Sequence, residues 1–574
     1  MAISSVSDGT DAGAPLLEDA VEGYVDCRGR PVYKSSSGGW RSAYFIIVVE
    51  IAERFAYYGI ASNLITYLTG PLGQSTVKAA ENVNVWLGAT SLLPVLGAIV
   101  ADSFLGRYRT IVVASLIYVL GLGLLTLSTT FSSSNDPSDC QKKTDKIASC
   151  GSPDQCQVIL FFFSLYLVAL GQSGHKPCVQ AFGADQFDEE DPEECKLKSS
   201  FFNWWSFGIS VGAFSTRLVL NYIQDNLSWG LGFGIPCIFM AAALVVFLLG
   251  TKTYRYCSKT DDQKSPFGRI GRVFVAAIRN WQTKPSAIVL LEEQGYETLA
   301  HQSHHEQFKF LNKALLVPDG SKTVMCSISD VEDAKALLKL VPIWTTSLVY
   351  GIVYAQSSTF FTKQGATMDR SVSPGFDMPA ASLQCFINLA IILAMPVYDR
   401  VFVPIARAST GKPAGITMLQ RIGIGIILCA ISMVIAALVE TKRLETAEEY
   451  GLVDKPKEMI PMSFWWLVPQ YVIFGLADVF TFVGLQEFFY DQAPKQLRSV
   501  GISLFLSVLG VGSLLSSYLI STIDGITSAN GGVSWFDNNL NQAHLDYFYW
   551  LLAGLTAFMF TAYLYFAKSY IYKR

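Results

Sequence analysis

Glu50, Glu53, Arg54 and Tyr57 stand at positions i, i+3, i+4 and i+7 of the apolar run Glu50-Ile-Ala-Glu53-Arg54-Phe-Ala-Tyr57-Tyr58-Gly59, so a helix places all four on one face. Two carboxylates beside one guanidinium form a group suited to exchanging a proton in surroundings of low dielectric. Arg54 keeps its own proton and offers a fork of donors that fits a carboxylate or a nitrate-like anion. A charge at the centre of an apolar helix costs roughly 2.5–3.5 kcal/mol unless paired or solvated. The cluster therefore reads as a functional polar site, with a static buried ion-pair cluster as the competing reading. Glu50, Glu53 and Arg54 are the candidates for proton coupling; Arg54 and Tyr57 are also candidates for substrate binding.

Other charges fall inside apolar stretches. Lys176 lies in Ala169-Leu-Gly171-Gln-Ser-Gly174-His175-Lys176-Pro177, where it is expected to be the cationic partner of the first-span acids. Gly171, Ser173 and Gly174 would let a neighbouring helix approach closely. The alternative for Lys176 is snorkelling to an interface. His175 points to another face and reads as a packing histidine. Asp478 sits well inside a later run, Pro469-Gln-Tyr471-Val-Ile-Phe-Gly475-Leu-Ala-Asp478, and is the better candidate for a substrate contact than Glu487 near that run's end.

The elements that must hold these residues are membrane spans. The chain of 574 residues is 51% hydrophobic and only 16% charged, with mean hydropathy +0.34, against about a quarter charged in soluble proteins. Apolar segments near the ~20 residues that cross a bilayer recur at 42–69, 82–104, 110–131, 157–182, 200–222 and 230–250, and again at 335–361, 378–398, 415–440, 463–490, 499–522 and 545–568. The expectation is an all-α membrane protein of twelve transmembrane helices in two six-helix bundles. Its parts are a disordered tail (1–40), a first bundle (41–250), a linker (251–334) and a second bundle (335–574). Six plus six with a long middle linker resembles the major facilitator fold. Within the linker, residues 267–278 are punctuated by Arg269, Arg272 and Arg279 and read either as an interfacial amphipathic helix or as a soluble linker helix. Arg28, Arg30, Lys34 and Arg41 before the first span, with Lys252, Arg255, Lys259, Lys264 and Arg269 after the sixth, put both termini in the cytosol. The first forty residues lack the apolar core of a cleavable signal peptide.

An internal echo supports two halves. Gly97-Ala-Ile-Val-Ala-Asp102-Ser-Phe-Leu-Gly106-Arg107-Tyr-Arg109 follows the second span, and Val397-Tyr-Asp399-Arg400 follows the eighth. Each places an Asp near basic residues at a helix end. Asp102, Arg107, Arg109, Asp399 and Arg400 are therefore candidates for gating, pairing in one conformation and parting in the other. Arg107-x-x-Thr110 makes Thr110 a candidate for phosphorylation. Asp11 followed by Leu16-Leu17 resembles an acidic dileucine signal. Cys140, Cys150 and Cys156 share a polar loop where an oxidising side would allow one disulfide. A net charge of -4 speaks against a nucleic-acid partner. No nucleophile–base pair, phosphate loop or metal-ligand cluster stands out, and His301, His304 and His305 read as solvated, so neither an enzyme nor a cofactor or metal is expected.

Taken together, Glu50-x-x-Glu53-Arg54 with Tyr57-Tyr58-Gly59, Ala169-Leu-Gly171…Lys176-Pro177, Phe201-Phe-Asn203-Trp204-Trp205 and Gln486-Glu487-Phe-Phe-Tyr490 resemble the proton-dependent oligopeptide transporter family. The long middle loop and Trp-rich fifth span are similar to its plant branch, the nitrate and peptide transporter family. The resemblance implies a proton symporter with a central site between two bundles. It implies proton coupling by Glu50, Glu53 and Arg54, a salt-bridge or substrate role for Lys176, and a substrate contact for Asp478. One departure bears on the cargo. Where the family's best-known nitrate carriers have a histidine in span seven, this chain has Tyr354, so nitrate would rest on Arg54, Lys176 and hydroxyl or amide donors. Asp478 also stands where many relatives have Glu. The expected cargo is a small nitrogenous solute, nitrate or a di- or tripeptide, carried with protons by alternating access. A larger plant metabolite or hormone, a facilitative uniporter or channel, and a transport-silent sensor are the alternatives. The expected setting is a vacuolar or plasma membrane, with the protein a monomer or weak dimer.

Overall fold

The computed structural model describes residues 20–133, 155–188, 191–257, 266–281, 308–315, 326–410, 416–494, 498–529 and 532–570. Cys140, Cys150, His301, His304, His305 and the Asp11–Leu17 motif lie outside these residues, as do the side chains of Asp102 and Asp399. Long helices dominate. The first half holds α1 (Gly39–Ala61), α2 (Thr76–Val100), α3 (Arg107–Ser133), α4 (Gln155–Ala184), α5 (Pro192–Asn226) and α6 (Trp229–Leu249). Two linker helices follow, α7 (Pro266–Arg279) and α8 (Ile328–Leu338). The second half holds α9 (Val341–Gln356), α10 (Cys385–Val397), α11 (Met418–Glu449), α12 (Val468–Gln492), α13 (Arg498–Thr527) and α14 (Leu545–Ser569).

Ten helical segments among the described residues are long and apolar enough to cross a membrane. The other two expected spans, α1 and α5, are 23 and 35 residues long but carry more charge, as Arg41, Glu50, Glu53 and Arg54 in α1 illustrate. Helix is the form a bilayer demands of a single segment, because every backbone N–H and C=O must find its partner internally. Side chains such as Leu120, Ile159, Phe239, Leu249 and Phe558 are exposed on the outer faces, where lipid rather than water is the solvent.

Local chemistry sets the helix ends. Ser75 caps α2 by accepting from the Lys78 N–H, and Asp191 caps α5 with Pro192 in its first turn. Thr417 and Gln420 form a reciprocal capping box on α11. The apolar run expected as one span over 42–69 is broken. α1 stops at Ala61 and a short helix resumes at Leu64. The cause is polar: the Ser62 hydroxyl bonds Asn221 at 2.8 Å, and Asn63 donates to Gln224 at 3.1 Å and Asp225 at 2.8 Å on α5.

Helix pairings in the first half recur in the second. α3 packs on α4 as α11 packs on α12, α3 on α6 as α11 on α14, α2 on α4 as α10 on α12, and α1 on α5 as α9 on α13. A π-helical turn follows α2 (Ala101–Leu105), and another follows α10 (Tyr398–Phe402). The halves meet along two seams related by the same repeat, α2 against α13 and α5 against α10. This is a major-facilitator-type arrangement of two helical bundles. Glycines permit its tightest crossings: a Cβ on Gly97 of α2 would collide with the Ser173 carbonyl of α4, and one on Gly171 would lie 2.7 Å from the Tyr118 backbone nitrogen of α3.

Residues 20–40, assigned to a tail on composition, are folded. β1 (Ala20–Val25) lies between β2 (Pro31–Tyr33) and β3 (Tyr256–Cys257), antiparallel to both. β1 pairs locally with β2, but its second partner, β3, lies more than two hundred residues away, which composition does not show. The linker helix α7 buries Val273, Ala276 and Ala277 against Leu311, Val331 and Ala334, and its Arg269 pairs with Asp330 at 2.7 Å and Asp333 at 3.4 Å on α8. Ile270 and Phe274 pack partly buried against the same cluster, while Val275 and Ile278 stay exposed.

Candidate transport site

The α1 face carries the charges as a chain. Arg54 Nε donates to Glu50 Oε1 at 3.0 Å and lies 2.7 Å from Glu53 Oε2. The second contact is an ion pair without a hydrogen bond. Glu53 is fully buried; its Oε1 accepts from Gln172 Nε2 of α4 at 2.9 Å, while Oε2 has no hydrogen-bond donor. Among the described residues, Oε2 is met only by its ion pair with Arg54. Glu53 thus holds one satisfied oxygen and one poised for a proton or a moving donor.

Tyr57 continues the same face. Lys176 Nζ sits over its ring at 5.0 Å and Arg54 Cζ at 5.8 Å. Lys176 makes its hydrogen bond to the Thr90 carbonyl at 3.4 Å and has no ion pair with the α1 acids. This departs from the expected direct pairing, because Arg54 already engages both carboxylates. His175 faces elsewhere, as expected: it is buried, with Nε2 2.8 Å from the Ser115 hydroxyl.

The second half brings its own acid. Asp478 on α12 accepts from the Tyr350 hydroxyl of α9 at 2.7 Å and is buried. Tyr354, one turn on from Tyr350, stacks at a tilt 6.2 Å from both Tyr350 and Phe474. It is close enough to Tyr57, Tyr58, Arg217 and Asp478 to feel their charges and dipoles. Residues expected from the sequence on separate spans are thus brought together in two groups: Glu50, Glu53, Arg54, Tyr57 and Lys176 in one half, and Asp478 beside Tyr350 and Tyr354 in the other, with Tyr57 and Tyr58 within electrostatic reach of Tyr354. Glu487 lies at the rim, pairing with Arg421 at 3.3 Å.

Three residues of this site were missed in sequence. Gln172 precedes Lys176 by four and so shares its face, a signal that was available. Arg217 is a lone cation in the apolar stretch Val211-Gly-Ala-Phe-Ser-Thr-Arg217-Leu-Val-Leu, found by the same rule that singled out Glu50. Its Cζ lies over the Tyr58 ring at 4.3 Å. Tyr350 had no sequence signal beyond being an aromatic residue in a span.

The end that holds the chain termini carries the candidate gating residues. Arg107 pairs with Asp185 at the end of α4, inside the first half. Arg109 and Arg400 are exposed. Thr110 is buried in the first turn of α3, its hydroxyl donating to the Gly106 carbonyl. The hydrogen bonds joining the two halves among the described residues cluster at the opposite end. Gln384 donates to the Ser62 carbonyl at 3.0 Å, Ser382 to the Arg217 carbonyl at 2.6 Å, Lys363 to Thr69 at 3.1 Å, and the Thr76 N–H to Asn538 at 2.8 Å.

Two repeated helical bundles joined at one end, with opposed buried charges on their facing surfaces, define a membrane transporter. The sequence model of the POT family matches residues 108–536, and the chain belongs to that family of membrane transporters, so it is not an enzyme. It is 62% identical over 574 residues to Protein NRT1/PTR FAMILY 5.10 of Arabidopsis thaliana, covering 100% of this chain and 99% of that protein. It is 56% identical to Protein NRT1/PTR FAMILY 5.12 of the same plant, covering 99% of each. The fold matches the crystal structure of an auto-inhibited POT family peptide transporter with a TM-score of 0.68 at 21% identity, over 93% of this chain and 98% of that one. It matches the POT family transporter PepTSo with a TM-score of 0.67 at 20% identity, over 92% and 98%.

Proposed function

We propose that the protein is a proton-coupled symporter of small nitrogenous solutes, nitrate or di- and tripeptides, with twelve spans, cytosolic termini and a vacuolar or plasma-membrane setting. The observation that carries this reading is the buried Glu53, which shares Arg54 with Glu50 and keeps one oxygen free of any hydrogen-bond donor. A proton arriving on that oxygen cancels the charge of Glu53 and loosens its hold on Arg54. Arg54 and Lys176 then attract the anionic part of the substrate, while Asp478 and Tyr354 meet its other end. Reorientation is favoured with both ligands or with neither, because a lone buried charge at the midplane is costly. The bundles then part at the end tied by Gln384 and Lys363 and close at the other, where Arg107, Arg109, Arg400 and the two helix-end aspartates, Asp102 and Asp399, exchange partners.

The test is uptake of nitrate and of dialanine into proteoliposomes under an imposed pH gradient. Wild-type protein should accumulate one of them with a proton current, and Glu53→Gln and Lys176→Ala should abolish accumulation while both variants purify and reconstitute normally. Unaltered gradient-driven uptake in both variants would sink the mechanism. Equilibrating flux indifferent to the gradient would make the protein a uniporter.

A further inference from the structure

Four arginines are buried among the described residues: Arg217, Arg255, Arg421 and Arg443. Three of them hold a glutamate. Arg255 pairs with Glu194 at 2.7 Å, Arg421 with Glu487 at 3.3 Å, and Arg443 with Glu440 at 2.6 Å. Arg217 differs. It is only 7% exposed, yet its Nε and Nη1 have no hydrogen-bond partner, and it forms no ion pair among the described residues. A guanidinium offers five donors in a rigid fork matched to planar oxyanions. Leaving two arms of that fork unpartnered in a buried position is costly unless a ligand occupies them for part of the cycle.

The surroundings suit such a ligand. The Tyr58 ring covers one face of the guanidinium. The hydroxyl of Tyr471, on α12, is itself buried without a partner, and it lies within electrostatic reach of Arg217, as do Asp478 and Tyr354. The other two cations are engaged: Arg54 by Glu50 and Glu53, Lys176 by the Tyr57 ring and the Thr90 carbonyl. The adjacent pair Tyr57 and Tyr58, ring centroids 5.1 Å apart, thus separates two cationic seats. Lys176 and Arg54 lie over the Tyr57 ring, and Arg217 over the Tyr58 ring.

We infer that Arg217 is a second anion seat of the transport site, taking over the planar oxyanion that Arg54 and Lys176 attract, whether nitrate itself or an organic carboxylate, and gripping it against the Tyr58 face and the Tyr471 hydroxyl. A dipeptide would then set its ammonium group toward Asp478. The seat also lies at the closure, since the Arg217 carbonyl accepts from Ser382 of the other half. The inference rests on the transporter reading above but not on proton coupling.

The experiment is equilibrium binding to purified full-length protein at one pH without a gradient, with nitrate, acetate and dialanine as probes. Wild type, Arg217→Gln and Arg217→Lys are compared after size exclusion confirms a monodisperse peak. Arg217→Gln should weaken at least one probe by about tenfold or more, the loss expected for a charge-assisted hydrogen-bonded contact. Arg217→Lys, which keeps the charge but loses the fork, should fall between. Loss for dialanine and acetate with nitrate unchanged makes the group a carboxylate; loss for nitrate alone makes it nitrate. Wild-type affinity in Arg217→Gln for every probe overturns the proposal, as does failure of wild-type protein to bind any of the three. Should Arg217→Gln not yield folded protein, Arg217→Lys decides, weaker binding supporting the seat and wild-type affinity overturning it. Because no gradient is applied, a protein that fails proton-driven uptake can still pass this test, and one that succeeds there can still fail here.

Discussion

Glu53 is the residue on which the proposed proton coupling turns, because its two oxygens are treated differently. Oε1 is held by Gln172 and Oε2 has proximity to Arg54 without a hydrogen bond. Neutralising it should therefore separate function from stability. Glu53→Gln removes one buried negative charge and leaves Arg54 matched one to one by Glu50, so the thermal unfolding midpoint in detergent should stay level or rise while proton-driven uptake disappears. Gln172→Leu should do the reverse to the fold. It strips the last good donor from a buried carboxylate, at a cost of about 1.5–3 kcal/mol, and a lower midpoint by tryptophan fluorescence would report it. An unchanged midpoint in Gln172→Leu would mean that the Gln172 contact is not holding Glu53.

At the scale of elements, the α2–α13 seam decides whether the halves can part. Ser516 on α13 accepts from Asn84 Nδ2 at 3.1 Å and from Gln356 Nε2 at 2.9 Å, all three buried. Ser516→Ala orphans donors on two other helices and should cost about 1–3 kcal/mol in this conformation. The expected readout is faster hydrogen–deuterium exchange in residues 62–76 and 357–384, which close the same end, without loss of the folded protein. The seam is also sterically tight. A Cβ on Gly88 would lie 3.0 Å from Leu514 and 3.1 Å from the Gly510 carbonyl, so Gly88→Val should force the helices apart, as overpacking does, and shift exchange in the same direction.

Across the whole molecule, the N-terminal segment straps the first half together. Arg255, after α6, makes a two-pronged contact with Glu194 of α5 and also donates to the Ser37 carbonyl, while Gln186 at the end of α4 bonds its backbone on both sides. Arg255→Ala breaks a nearly buried pair and should lower stability by about 3 kcal/mol, read as a fall in unfolding midpoint and in yield. The outer part of the strap is ionic: Lys34 lies 3.1 Å from Asp191 and 3.3 Å from Asp188. The Glu193 N–H, and then Lys34, hold the Asp191 carboxyl below its ordinary value. A depressed carboxyl stabilises the fold above its unfolded value of about 3.9 and loses that contribution as pH falls through the lower folded value. Exchange of the β1 and β2 amides should thus be flat from neutral pH to about 5 and rise only below about 4, after correction for intrinsic rates.

Much of this was legible along the chain. The helical class, the two halves and the α1 cluster follow from local rules, because hydropathy marks each span and a 3.6-residue period fixes which side chains share a face. Glu50, Glu53, Arg54 and Tyr57 needed nothing more. Partnership across the bundle needed the tertiary structure. It left Lys176 on the Tyr57 ring, paired Asp478 with Tyr350, and set Arg217 over Tyr58 with no counter-ion among the described residues. It also turned residues 20–33 into strands and broke the first apolar run at Ser62 and Asn63. Each outcome depends on which distant side chain arrives at hydrogen-bond distance. Sequence order carries no such information once the partners lie on different helices.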